Sequence, residues 1–98
     1  MASMTTLTEE QRLRRVKNAL GVTGEYQDDT IGEYINDVMD MLRDSGVRAA
    51  VVESDKAVGV ISRGVSDLWN LGAGGGALSP VFFQRVIQLA YAPEKEDD

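Results

Sequence analysis

Apolar side chains recur every three to four residues in four segments of this 98-residue chain, and helix start or stop signals bound each segment. Thr8, followed three residues later by Gln11, has the pattern of a capping box, and Gly21 is a stop signal, which predicts a first helix over 8–20. Asp28 or Asp29 can cap a second helix that ends at Gly46. The apolar stripe of this second helix contains Ile31, Tyr34, Ile35, Val38, Met39 and Leu42.

The second half of the chain likewise contains segments with the apolar periodicity of a helix, separated by helix start and stop signals. Residues 47–54 predict a brief helix or an irregular link, after which Ser54 or Asp55 caps a third helix. Its apolar side contains Ala57, Val58, Ile61, Val65, Leu68 and Trp69. Ser79 followed by Pro80 starts a fourth helix that runs to about Tyr91. We therefore expect one all-α domain over 1–98, a small bundle of about four helices, with a flexible N-terminus (1–6) and an acidic C-terminal tail (93–98).

Composition excludes several kinds of chemistry. The chain has no Cys and no His, which rules out disulfides, thiol nucleophiles, zinc sites made of these residues and imidazole acid–base catalysis. With 98 residues there is room for only one modest core. We expect no enzyme activity, no catalytic residue, no metal and no cofactor. The N-terminus lacks the pattern of a signal peptide and no apolar run has membrane-spanning length, so we expect a protein of the cytoplasm without a membrane partner.

A glycine-rich stretch, LGAGGGALSP, lies between the third and fourth helices and contains Gly72, Gly74, Gly75 and Gly76. Phosphate-binding glycine loops follow a strand, and the Walker type ends in Lys-Ser or Lys-Thr. This stretch follows a predicted helix and contains no Lys. The pattern favours an adaptable connecting loop over a phosphate site.

The net charge of −6 is unevenly distributed. Glu33, Asp37, Asp40 and Asp44 form one stripe on the second helix, which favours a solvated face over a cation site because nothing supplies a folded cage of oxygen ligands. The basic segment RLRRVK at 12–17 favours exposed helix cations, with an acidic neighbour as one possible partner, over contacts with a phosphate backbone. The overall negative charge argues against tight binding of nucleic acid.

The fourth helix carries more apolar surface than a small bundle can easily bury. In PVFFQRVIQLAYA only Gln84, Arg85 and Gln88 are polar. Surplus apolar surface commonly marks a protein–protein interface, and aromatic residues supply large contacts there. We expect a subunit or partner interface, favoured over burial within one core. Its residues are Trp69, Leu71, Leu78, Phe82, Phe83, Arg85 and Ile87, with the four glycines as a flexible loop.

Residues 57–90, AVGVISRGVSDLWNLGAGGGALSPVFFQRVIQLA, resemble the C-terminal half of the small head–tail connector proteins of tailed bacteriophages. The resemblance rests on a third helix that ends in residues 67–70 (DLWN), the glycine-rich loop, the Ser79-Pro80 start and the helix with residues 84–89 (QRVIQL). Residues 6–46 match only in general character.

The resemblance implies a structural virion protein at the head–tail interface, made in the host cytoplasm. Such connectors form a ring, usually dodecameric, beneath the portal vertex and provide the platform for the next head-completion or tail protein. Expected partners are other copies of the chain, the portal protein and a tail or head-closure protein, while double-stranded DNA passes through the channel without specific binding. The alternative is a small acidic protein-binding adaptor or regulator that acts as a monomer or dimer.

Overall fold

The computed structural model describes residues 4–71 and 78–91, with Leu71 described by its backbone only. Its α-helices are α1 (Glu9–Leu20), α2 (Asp28–Asp44), α3 (Ala49–Val52), α4 (Val58–Leu71) and α5 (Pro80–Ala90). A 3-10 turn over Asp55–Ala57 leads directly into α4. Over the described ranges there is no β-strand, only an isolated bridge between Thr6 and Ser54. The predicted all-α bundle of about four main helices is confirmed, and residues 47–54 contain the brief helix α3.

The start and stop signals of α1 behave as the sequence predicts. The Thr8 hydroxyl accepts a hydrogen bond from the Gln11 backbone N–H at 3.0 Å, and the Gln11 side chain accepts one from the Thr8 N–H at 2.9 Å. Gly21 closes the helix with φ of 75°, a left-handed conformation that glycine adopts without strain. The capping box and the terminal glycine therefore fix both ends of α1.

The starts of α2 and α4 differ from the sequence prediction. Asp28 and Asp29 are not caps but the first two residues of α2, where their charges favour the positive end of the helix dipole. Asp28 also forms an ion pair with Lys17 of α1 at 2.7 Å, which joins the two helices. Ser54 caps the 3-10 turn rather than α4 itself, since its hydroxyl accepts from the Lys56 N–H at 3.1 Å.

Helix α4 lies at the centre of the bundle and contacts α1, α2 and α5. Burial therefore extends beyond the predicted stripe of α4, and Val60, Ser62 and Gly64 are buried as well. Helix α5 packs mainly against α4. The core consists of Val16, Ile31, Ile35, Val38, Met39, Leu42, Val47, Val51, Val52, Ala57, Val60, Ile61, Val65, Phe82 and Val86.

A buried arginine fastens the segment before α1 to the end of α3. Arg12 is 5% exposed, and its Nη2 donates hydrogen bonds to the carbonyl oxygens of Leu7 and Glu53, each at 3.0 Å. The Leu7 N–H donates to the same Glu53 carbonyl at 2.9 Å, and the Asp55 N–H donates to the Thr5 carbonyl at 2.8 Å. Arg12 is thus a structural residue, which corrects its expected place among the exposed cations of RLRRVK.

These hydrogen bonds also bear on the predicted flexible N-terminus, residues 1–6. Thr5 and Thr6 are paired with Ser54 and Asp55 across the bundle, so this part of the terminus is attached. Residues 1–3, the acidic tail at 93–98 and the glycines of the predicted loop at 72–77 lie outside the described residues.

Three helices meet at Gly64, in the middle of α4. A Cβ atom placed on Gly64 would lie 2.7 Å from Cε1 of Phe82 on α5 and 2.9 Å from both methyl carbons of Val38 on α2. These distances are well below normal carbon–carbon contact. Only glycine therefore lets Phe82 and Val38 meet against the backbone of α4.

We expect Gly64→Ala to lower the free energy of unfolding by about 1–3 kcal/mol, because the added methyl group overpacks this contact. Gly32→Ala is the matched control, since the same change within α2 meets no atom within 4 Å. This control is expected to raise stability by about 0.5–1 kcal/mol through helix propensity. Urea unfolding followed by circular dichroism measures both changes, and equal stabilisation by the two substitutions would contradict the tight contact at Gly64.

Candidate functional site

The N-terminus of α5 is fixed to α4 by a small polar cluster. Ser79 caps α5, since its hydroxyl accepts from the Phe82 N–H at 3.2 Å, and Pro80 occupies the first turn. Asp67 of α4 accepts two hydrogen bonds from Ser79, one from its hydroxyl at 2.7 Å and one from its N–H at 3.1 Å. The predicted Ser-Pro start is confirmed, and it is also the attachment point between the two helices.

Arg63 completes this cluster one turn before Asp67 on α4. Its Nη2 lies 3.5 Å from the Asp67 carboxylate, and its Nε donates to the Ser79 hydroxyl at 3.4 Å. The Asp67 side chain is 11% exposed, so its hydrogen bonds are formed largely away from water. Hydrogen bonds to a charged group of this kind are stronger than those between neutral groups. The cluster therefore fixes the position at which α5 begins and the direction of α5 relative to α4.

With its start fixed, α5 turns one side toward the core and another toward solvent. Phe82 and Val86 are 1% and 5% exposed and fill the core. Phe83, Ile87 and Tyr91 follow one another at intervals of four residues, and they are 50%, 58% and 83% exposed. We call these three residues the α5 face.

The α5 face is large enough for the centre of an interface but too small for a whole one. Two aromatic side chains and one isoleucine at these exposures present about 400 Å² of apolar surface. A partner in a standard interface contributes about 800 Å². A stable contact through the α5 face must therefore extend onto polar surfaces beside it.

The residues predicted for the interface differ in how far they are exposed to solvent. Phe83, Arg85 and Ile87 are exposed, whereas Phe82 is a core residue. A surface role for the Phe82 side chain is thus corrected, because Phe82 occupies the space left by Gly64 and meets Phe83 edge-on at 5.3 Å between ring centroids.

Trp69 and Leu78 are half-buried and pack against the core. The Trp69 ring lies edge-on to Tyr34 of α2 at 6.3 Å between ring centroids, which is a contact within the domain. The side chain of Leu71 and the loop glycines Gly72, Gly74, Gly75 and Gly76 lie outside the described residues. Their predicted interface and loop roles stay predictions.

A second surface, on α1 and α2, is acidic. Glu33, Asp37, Asp40 and Asp44 are all exposed, as expected for a solvated face, and Asp40 pairs with Arg43 at 2.8 Å. An open groove of about 530 Å³ between α1 and α2 is lined by five acidic residues, Glu9, Glu10, Asp28, Asp29 and Glu33. Across residues 4–71 and 78–91, no three acidic side chains converge closely enough to hold a metal ion. The surface can attract basic groups, but it offers no enclosed site.

Sequence reasoning missed the link between Asp67 and Ser79, because the two residues are separated by the glycine-rich stretch. One signal was present, since Arg63 and Asp67 are four residues apart on a helix and can pair. The involvement of Ser79 depends on where α5 docks, which no local pattern specifies.

Comparison with models of protein families, with curated proteins and with solved structures finds no match to this chain. No helix in the described part of the chain has the length and apolar character needed to cross a bilayer. The functional assignment therefore depends on the chain's own residues and surfaces.

We expect Ser79→Ala to lower the free energy of unfolding by about 1 kcal/mol through loss of the helix cap. Asp67→Asn is expected to cost a similar amount, since it weakens the charge-assisted bonds to Ser79. The double variant should lose less than the sum of the two, because the residues share an interaction. Denaturant unfolding of all four chains measures this coupling, and strict additivity would contradict the attachment described above.

Proposed function

We propose that this chain is a structural subunit that assembles into a ring and connects the portal of a tailed-bacteriophage head to the tail or to the next head-completion protein. The observation that carries the proposal is the α5 face, an apolar stripe of Phe83, Ile87 and Tyr91 on a helix whose start is fixed by Asp67. Exposed apolar side chains on a well-anchored helix are typical of a surface that another protein covers.

The positions of the residues that resemble connector proteins support this proposal. Residues 67–70 lie near the end of α4, Ser79 and Pro80 open α5, and residues 84–89 lie within α5. The resemblance over 57–90 thus covers α4 and α5 and includes Phe83 and Ile87 of the α5 face. A subunit with this function acts through its surfaces, in keeping with a composition that offers no Cys or His for catalysis.

A ring requires heterologous contacts, in which one surface of a subunit meets a different surface of its neighbour. The α5 face supplies an apolar centre for one side of such a contact. The chain also carries exposed charges of both signs away from α5, with the cations Arg14 and Arg15 on α1 and the acids Glu33 and Asp37 on α2. We propose that charges of opposite sign meet between neighbouring subunits and set their register.

The negative charge suits a ring around a DNA channel. With a net charge of −6, the subunit repels the phosphate backbone, so the genome can pass without specific binding. In this proposal the partners are other copies of the chain, the portal protein and a tail or head-closure protein. The place of action is the virion after assembly in the host cytoplasm.

The second candidate function is a small acidic adaptor or regulator that acts as a monomer or dimer. The groove between α1 and α2 favours it, because five carboxylates around an open groove suit a basic partner segment. The two proposals predict different solution states. The adaptor stays at low order at all concentrations, while the connector forms a closed high-order species.

We expect Phe83→Ser and Ile87→Ser each to weaken self-assembly, or assembly on the portal protein, by at least about tenfold, since each removes apolar surface that assembly buries. Stability should change little, because both side chains are at least half-exposed in the isolated chain. Sedimentation velocity over a range of concentrations, with and without a candidate portal protein, measures assembly.

Gln88→Ser is the matched control, since Gln88 is exposed on the same helix and carries no apolar side chain. It should assemble like the unchanged chain. Full assembly of both Phe83→Ser and Ile87→Ser would contradict the proposal that the α5 face is the interface. An unchanged chain that stays monomeric or dimeric alone and with portal proteins would favour the adaptor.

A further inference from the structure

A second open groove, separate from the acidic one, runs between the end of α1, α4 and α5. Its volume is about 390 Å³. The residues that define its chemistry are Leu20, Ser62, Arg63, Ser66, Val81 and Arg85. Two guanidinium groups, two hydroxyl groups and apolar side chains thus line the groove, and none of its described lining residues is acidic. In a chain with a net charge of −6, this is a local surface of opposite sign.

Two of these residues have unused hydrogen-bonding capacity. The Ser62 hydroxyl is buried, in a residue only 8% exposed, and has no hydrogen-bond partner among the described residues. Buried hydroxyl groups normally have a partner, so this one calls for a group that the described residues do not supply. Arg85 is exposed and forms no ion pair within the described part of the chain. The groove therefore offers donors to an anionic ligand.

The chain itself contains a segment of matching charge. Residues 93–98, PEKEDD, carry four acids and one lysine, and only Tyr91 and Ala92 separate them from the end of α5 at Ala90. Arg85 lies six residues before Tyr91, which is about 9 Å along a helix axis. The seven residues after Tyr91 can span up to about 24 Å when extended. The segment is thus long enough to turn back from the end of α5 and reach the groove.

We propose that the acidic segment 93–98 docks in the groove of its own chain, with its carboxylates on Arg85 and Arg63 and an acceptor oxygen on the Ser62 hydroxyl. The short tether favours this pairing over a diffusing ligand, because it holds the carboxylates at millimolar effective concentration. Arg85 is two residues from both Phe83 and Ile87, which places it on the far side of α5 from the α5 face. Docking therefore leaves that face open and does not depend on the proposed function.

The test uses nuclear magnetic resonance of the full ¹⁵N-labelled chain that carries Phe83→Ser, so that the proposed assembly interface is removed. Its amide shifts are compared with those of the same chain with Glu94→Gln, Glu96→Gln, Asp97→Asn and Asp98→Asn. We expect shift changes at Gly59, Ser62 and Ser66 in the groove, and none at Asn36 beside the acidic groove.

Two further substitutions, one in the groove and one in the segment, test the same contact from both sides. Arg85→Gln should lower the ratio of docked to free segment by up to about fivefold, the upper end of the range for a surface ion pair, and shift the amides of residues 94–98. Lys95→Gln, the matched control within the segment, should raise the ratio because it removes the one repulsive charge. In 1 M NaCl the unsubstituted segment should behave as the neutralised one does.

Docking within one chain is supported if neutralising residues 94–98 changes the amide shifts of the groove residues at every chain concentration. If neutralisation changes the amide shifts of the groove residues only as the chain concentration rises, the proposal is overturned, since the segment would then occupy the groove of a neighbouring chain. Amides of Ser62 and Ser66 that do not respond to neutralisation of residues 94–98 would overturn it as well.

Discussion

The close contact at Gly64 determines which side chains of α5 are buried and which are exposed. Because α4 has no side chain at this position, the Phe82 ring and the Val38 methyl groups meet directly against its backbone. Phe82 is thereby committed to the core, and the next residue, Phe83, is turned outward by the geometry of the helix. The bonds between Asp67 and Ser79 fix the start of α5 just before this contact. A packing constraint on α4 therefore decides which apolar side chains of α5 are exposed.

Charge organises the surface around this core. The ion pair of Lys17 with Asp28 joins α1 to α2, while the buried Arg12 attaches the preceding segment through backbone carbonyl groups rather than through a carboxylate. Other exposed charges are grouped by sign, with the cations Arg14 and Arg15 on α1 and the acids Glu33, Asp37, Asp40 and Asp44 on α2. At physiological ionic strength exposed charges act over about 8 Å. In the proposed ring they would orient a neighbouring subunit, and apolar contact at the α5 face would supply most of the binding energy.

The sequence predicted the parts of the fold that depend on local patterns. The capping box of Thr8 and Gln11 and the Ser79-Pro80 start lie where the patterns placed them. What the sequence did not predict depends on tertiary contacts. The two adjacent phenylalanines look equivalent in the sequence, and only the docking of α5 onto Gly64 distinguishes them. The burial of Arg12 likewise requires the end of α3 to lie against the N-terminal segment, and Glu53, which accepts from Arg12, is 41 residues away from it in the chain.

Because the chain contains no cysteine, one thiol can be placed at a chosen position to test whether the α5 face is the interface. A trace of a Phe83→Cys chain, or of a Val86→Cys chain as the buried control, is mixed with excess unsubstituted chain, with or without a portal protein, and treated with a thiol reagent. If subunits meet through the α5 face, the thiol at position 83 reacts fast in dilute solution and is protected on assembly, while the thiol at the core position 86 reacts slowly throughout. Labelling at position 83 that stays equally fast in a high-order assembly would contradict the claim that subunits meet through the α5 face.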